Sequence, residues 1–505
     1  MSSTFEKQVK GFHDLSKRTF SYIHALNVLH WDLRTAAPRK GMDPRSEMIG
    51  VLSGEHFKLS TSSEMGEYLQ ALSEPATYEQ LDPVTKKLVE LTKKDFERSK
   101  RVPPDRYQEF VVLTSQAETV WEEARANNDF KMFQPYLEKI IAMTLEFIDY
   151  WGVKTSKYDT LLDQYEPGMT TDVLDGMFKV LRDKSVPLLK ALVESGNRPD
   201  TSFLQQPFDV AQQEAFSRFV VERIGFDFQA GVLAKSTHPF CTSFGPNDVR
   251  MTTRYDENDI RDSFFSTIHE TGHAIYEQNI NPELFGTLLC DGTSMGIHES
   301  QSRFIENILG RSLPFWQHFY GDLQNHFPTQ FKDVSLEQFY RAINISEPSL
   351  IRTDADELTY NLHIMVRYEI EKGLISQELN VADLPGIWNE KYKEYLGIDV
   401  PNDKMGVLQD VHWAGGSIGY FPTYSLGNVY AAQFTNTLKK EITNYDELVS
   451  RGEFAPIIKW YNEKIHQYGK LKDPSELVVE ITGEQANAQY LVEYLEQKFK
   501  SVYGL

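Results

Sequence analysis

The sequence predicts a mainly α protein, one large helical fold carrying a small antiparallel β-sheet. Three observations predict it. Apolar residues recur at helical spacing over long stretches, the period shortens to two between His238 and Tyr255, and nothing in the 505 residues reads as a linker. A hydrophobic content of 41% with 31 phenylalanines is ample for one large core, so residues 1–505 are expected to form a single domain with room for two sub-lobes.

From the amino end, Phe5, Val9, Phe12, Leu15, Phe20, Ile23 and Leu26 trace one face of a long helix reaching about Leu29. Asp82-Pro83 and Pro103-Pro104-Asp105 start two more, Tyr136 to Tyr150 forms the body of another, and Ser195-Gly196 and Gly225 are stops. Nothing before residue 225 carries obvious chemistry; charges there fall at the spacing of solvated faces. Phe240, Thr242 and Phe244, then Gly245-Pro246-Asn247-Asp248, then Val249, Met251 and Thr253 read as two strands joined by a turn. An edge strand of that kind is either a structural ribbon or a template for an extended peptide.

The balance of 52 basic against 73 acidic side chains gives a net charge of −21, which argues against nucleic acid and anionic membrane as partners. The stretch Met1-Ser2-Ser3-Thr4-Phe5-Glu6-Lys7 lacks the apolar core of a leader, and no run approaches a membrane span. Two cysteines, Cys241 and Cys290, do not make a disulfide framework, so a cytoplasmic setting is expected.

The chemistry begins at His269-Glu270-Thr271-Gly272-His273, a His-Glu-x-x-His pattern. Asp256 to Asp259 supply a helix start, Ile260, Phe264, Ile268 and Ile275 an apolar face, and Asn281-Pro282 a stop. Four residues apart on a helix, His269 and His273 point two imidazoles at a single cation, with Glu270 beside the site. Zinc suits such a set, since it accepts neutral imidazole and keeps a fourth position for water when catalytic. A glutamate next to that water but off the metal can take its proton and later return it. After a Gly-interrupted loop from Gly286 to Gly296 a new helical segment opens at His298, and its return places Glu299 as the foremost third ligand. Glu277 is aligned along the same helix as the histidines but too far along it for one ion, while His298 and Glu306 are weaker rivals.

Two later pieces stand out. In Ile351-Arg352-Thr353-Asp354-Ala355-Asp356 an arginine lies among acids, where it serves as half of a structural ion pair or as the fork that receives a substrate carboxylate. Gly406-Val407-Leu408-Gln409-Asp410-Val411-His412-Trp413 leads through Gly415, Gly416 and Gly419 to Tyr420 and Tyr424. A histidine or tyrosine carried by that loop can hydrogen-bond a developing oxyanion; the alternative is a glycine-rich connection with aromatic packing.

Six stretches in this order, His238-Pro239-Phe240, Asp248 to Thr252, His269 to His273, His298 to Gln301, Ile351 to Asp356 and Gly406 to Trp413, resemble the carboxypeptidase Taq family of zinc metallocarboxypeptidases. The resemblance implies a fold like neurolysin and angiotensin-converting enzyme, with two lobes around a deep groove and the small sheet beside the metal. It implies Zn2+, replaceable by Co2+, on His269, His273 and Glu299, and a homodimer. The implied activity is release of single residues, with broad specificity, from peptides with a free C-terminus. Glu270 then acts as general base and acid, His412 and Tyr420 (or Tyr424) as oxyanion donors, and Arg352 with Arg250, Gln409 and His238 in substrate binding. An endo-oligopeptidase or dipeptidyl carboxypeptidase on the same scaffold is the alternative, and a helical binding protein with a structural metal is a further one.

Overall fold

The computed structural model describes residues 4–505, so Met1, Ser2 and Ser3 of the stretch read for a leader lie outside it. The chain is mainly helical with one small sheet, as the periodicity predicts. Its packing divides into two compact units, one of residues 1–101, 206–293 and 451–473, the other of residues 102–205, 294–450 and 474–505. Among the described residues no helix is long and apolar enough to cross a membrane.

In the first unit the long amino-terminal helix runs Thr4–Thr35, six residues past the predicted end, and buries Phe12 and Leu15. The Asp82-Pro83 start gives Pro83–Arg101, and Gly225 caps Val210–Ile224. The sheet holds β1 (Gly231–Lys235), β2 (Cys241–Ser243) and β3 (Val249–Thr253) in the order β1-β3-β2. The predicted hairpin is its antiparallel half, with Thr242 facing Arg250. The other half is new: β1 runs parallel to β3, Gly231 against Val249 through Lys235 against Thr253, so the sheet is mixed. Gly231 permits the approach, since a Cβ there would lie 2.8 Å from the Val249 carbonyl oxygen and 2.3 Å from the Phe226 ring.

Helix α1 (Ile260–Gln278) follows directly. Asp259 caps it by accepting from the Arg261 N–H at 2.9 Å. Ile260, Phe264, Ile268 and Ile275 are buried as their spacing predicts; full burial of each such side chain contributes about 1.5–3 kcal/mol. A hydroxyl seam joins this helix to β3: Thr267 Oγ1 donates to Ser263 O at 2.6 Å and meets Thr253 Oγ1 at 2.9 Å. The helix is thereby fastened to the sheet by polar contacts as well as apolar ones, on the side away from the two histidines.

The second unit contains Pro104–Asn127, Phe130–Trp151 and Thr171–Glu194, matching the starts and stops read from sequence. It also supplies α2 (Met295–Arg303), α3 (Tyr360–Ile375) and α4 (Pro422–Glu441). Ser294 caps α2 by accepting from the Ile297 N–H at 3.0 Å, and α2 passes into a π-helical turn, Phe304–Leu309. Fourteen of the sixteen residues of α3 are buried, so it is a core helix on every side and its charged residues need internal partners.

Candidate active site

The rings of His269 and His273 on α1 have centroids 5.0 Å apart. Glu270, between them, is 7% exposed, and its charge together with burial pushes the Cys241 thiol on β2 well up, burial being the larger cause. Glu299, the third ligand expected from sequence, stands on α2 in the second unit. Two imidazoles one helical turn apart are donors of the kind that suits a divalent ion such as zinc. Of the rivals, Glu306 faces Arg303 at 3.5 Å and Arg311 at 3.4 Å.

Glu299 is oriented from several directions. Its Oε1 accepts from Arg303 Nε at 2.6 Å and its Oε2 from Ser302 Oγ at 3.1 Å. Across from it stands Gly427 on α4, where a Cβ would lie 2.4 Å from Glu299 Cγ. The first turn of α2 is tied down by buried Glu166, which accepts from the Gly296 N–H at 2.9 Å and from Tyr430 Oη at 2.9 Å. Burial pushes the Glu166 carboxyl up to about 7 against these hydrogen bonds.

Arg352 is 7% exposed, and the acid it pairs with is not a sequence neighbour. Nε and Nη2 both reach Asp410 Oδ1 at 2.9 Å, while Nη1 donates to Tyr360 Oη at 3.0 Å. Asp356 instead accepts from Ser346 Oγ and from the Leu358 and Thr359 N–H groups. Each terminal nitrogen of Arg352 thus keeps an N–H beyond these contacts. The second oxygen of Asp410 takes Arg367 of α3, whose Nε lies at 2.7 Å. Two arginines hold this carboxyl well below the usual range although burial works the other way.

Gln409 is engaged with the chain: its Oε1 accepts from the Arg352 N–H at 2.9 Å and from Arg367 Nη2 at 2.7 Å, and its Nε2 donates to Leu350 O and Met405 O. Arg250 on β3 makes a two-point pair with Asp248 at 2.7 and 2.8 Å and stacks over Phe244 at 4.7 Å. His238 is exposed before β2, where its carbonyl accepts from Ser236 Oγ.

His412, Tyr420 and Tyr424 come together: ring centroids are 5.7 Å apart for His412 and Tyr420 and 5.2 Å for the two tyrosines, and His412 Nε2 lies 3.3 Å from Tyr424 Oη. Arg352 stacks over the Tyr424 ring at 5.1 Å. Burial lowers the His412 imidazole to about 4, with the Arg352 and Arg367 charges adding to it and Asp410 opposing. Burial, then the charge of Glu299, raises the Tyr420 phenol to about 12. Both groups are therefore neutral donors near pH 7. Sequence reasoning assigns no role to Arg303, Arg367, Asp410 or Glu166. Arg367 is one of several charges on its helix, so nothing in the local sequence singles it out.

Comparison with known proteins points to the same class of enzyme. The model of the carboxypeptidase Taq (M32) metallopeptidases matches residues 11–499. Carboxypeptidase 1 of Bacillus subtilis is 50% identical over 99% of both chains, and thermostable carboxypeptidase 1 of Thermus thermophilus is 41% identical over 97% of this chain and 98% of its own. The crystal structure of the M32 carboxypeptidase from Deinococcus radiodurans R1 superposes with a TM-score of 0.96, covering 99% of this chain and 100% of that one at 36% identity. Fold and matches together define a metallocarboxypeptidase. The chain belongs to the carboxypeptidase Taq (M32) family, as its motifs imply.

The neutral His412 has a measurable consequence. The unfolded imidazole takes up its proton near 6.5 and the folded one near 4, so the stability linked to this group is intact above 6.5 and is lost as pH falls through 4. The histidine NMR signal assigned to His412 is expected to stay that of the neutral ring down to about pH 5, against an unperturbed value near 6.5. A midpoint near 6.5 would contradict its burial beside two arginines.

Proposed function

We propose that the enzyme is a zinc carboxypeptidase that removes single residues from peptides with a free C-terminus and tolerates many side chains. The observation that carries the register is the buried Arg352, held on one side by Asp410 with N–H groups to spare. In this reading His269, His273 and Glu299 hold the ion, which the pairing of the two imidazoles on α1 and the fixed orientation of the Glu299 carboxylate support. A zinc ion bound there supplies polarisation of the scissile carbonyl and a more acidic water; Co2+ serves as a substitute.

The chain's own residues do the rest. Glu270 accepts the proton of the attacking water and passes it to the departing amine. His412 and Tyr420 donate hydrogen bonds to the carbonyl oxygen as it gains charge, and their neutral state suits donation; Tyr424, against His412 and under Arg352, is the alternative donor. Arg352 receives the terminal carboxylate. Gln409 works on the Arg352 main chain, and Arg250 and His238 on β3 and the segment before β2 are left to contact the peptide further along. Homodimers are part of the same reading through the family resemblance, and the two free cysteines favour a reducing, cytoplasmic setting.

Three outcomes check this. Glu270→Gln is expected to bind metal as the parent does, by metal analysis, while turnover drops by roughly 10²–10⁴; near-parental turnover in the loaded variant would remove Glu270 from the reaction. A short peptide is expected to lose residues one at a time and its C-terminally amidated twin to be spared, with Arg352→Ala costing about 2–5 kcal/mol in kcat/KM on the free peptide. Mass spectrometry reads this directly, and equal cutting of both peptides, or internal cuts, would overturn the register. Gly427→Ala is expected to displace Glu299 and weaken metal binding about 10–100-fold in chelator competition, and unchanged affinity would argue against Glu299 as a ligand.

A further inference from the structure

Glu371 lies one turn beyond Arg367 on α3 and is fully buried. Its Oε1 accepts from Trp413 Nε1 at 2.8 Å, and its Oε2 accepts from Tyr158 Oη at 2.7 Å and from the Gly419 N–H at 2.9 Å. Trp413 directly follows His412 and Gly419 directly precedes Tyr420. We propose that Glu371 is a positioning residue for peptide hydrolysis, its carboxylate tying Trp413 to Gly419 and so fixing where His412 and Tyr420 present their donors. This rests on the reading above that those two side chains bond the developing oxyanion.

Between the two tied residues the chain is held by local turns, such as Ser417 N–H to His412 O at 2.9 Å, and by burial of Ala414 and Ile418, while Glu371 is the side chain that joins its two ends. Ala414-Gly415-Gly416-Ser417-Ile418 contains two glycines, and Gly416 and Gly419 adopt positive φ of 74° and 92°. Glycines give a loop many conformations to lose, so the loop needs fixed points. The same helix supplies the other fixed point, since Arg367 grips Gln409 and Asp410 just before His412. A carboxylate is the one common side chain that accepts at two oxygens and donates at neither, which matches three converging donors. Burial nevertheless pushes this carboxyl up to about 7, with the three hydrogen bonds and the Arg367 charge pulling it back. A buried carboxyl engaged by three donors, where an amide or an apolar side chain would pack, points to a geometric duty.

Glu371→Gln tests it, because an amide of the same shape sets its NH2 against a fixed donor whichever way it turns, either the Trp413 indole or the Gly419 amide. In the metal-loaded enzyme kcat is expected to fall roughly 10- to 100-fold, with metal content as in the parent and KM for a free peptide moving less than about threefold. Trp413→Phe, which removes one donor and keeps the ring packing, is expected to lower kcat in the same direction by a smaller factor. The loss from Glu371→Gln is expected to shrink in a His412→Ala or a Tyr420→Phe background, since a positioning effect needs the group positioned. An undiminished loss in both backgrounds, or reduced thermal stability at unchanged kcat, overturns the assignment. Single substitutions separate this from the parent reading. If His412→Ala and Tyr420→Phe leave kcat intact, the oxyanion reading falls and the positioning role with it; if they lower kcat and Glu371→Gln does not, only the positioning role falls.

Discussion

Two guanidinium groups and one carboxylate, all withdrawn from water, set the terms for the loop that carries His412 and Tyr420. Arg352 and Arg367 each take one oxygen of Asp410, so loss of Asp410 would leave two buried cations without their acid and loss of either arginine would leave one carboxylate oxygen without its donor. Because Asp410 sits between Gln409 and Val411, satisfying the two arginines also fixes the path of the main chain just before His412. The charges thus act as a clamp on the backbone, and the donors follow from it.

On the proposed reading the metal ligands are organised differently, on helices each fastened within its own unit. The helix that carries the histidine pair is fastened to β3 by a hydroxyl seam on its other side, and Glu299 is held by Arg303, Ser302 and the bare backbone of Gly427. Ligands carried on regular elements lose little precision to thermal motion, and outer partners that leave a carboxylate one orientation raise the affinity of the set. Glu166 extends the same logic by joining the start of α2 to Tyr430 on α4.

What is legible in the sequence is local. His-Glu-x-x-His announces itself because helix geometry alone sets the two imidazoles on one face, and the β2–β3 hairpin because its turn and its alternation are contiguous. Strand β1 escapes notice for the converse reason: its partner is parallel, eighteen positions on, and nothing in Gly231-Val232-Leu233-Ala234-Lys235 names it. Arg352 reads as one of a group with Asp354 and Asp356, but its partner lies 58 residues away, at a distance in sequence no local pattern spans. Arg367 and Glu371 escape because charges four apart on a helix usually mark a solvated face, and only the burial of α3 turns them into a stripe of internal fasteners.

These placements explain why a neutral imidazole can stand beside two fixed positive charges. Protonated, His412 would add a third cation to a pocket whose one nearby acid, Asp410, is already shared, and burial would deny it solvent. Neutral, it can donate from one ring nitrogen without drawing the substrate's carboxylate away from Arg352. The arginines therefore do two things at once: on the reading proposed here one of them recognises the end of the peptide, and together they keep the neighbouring donor in the state that the chemistry requires.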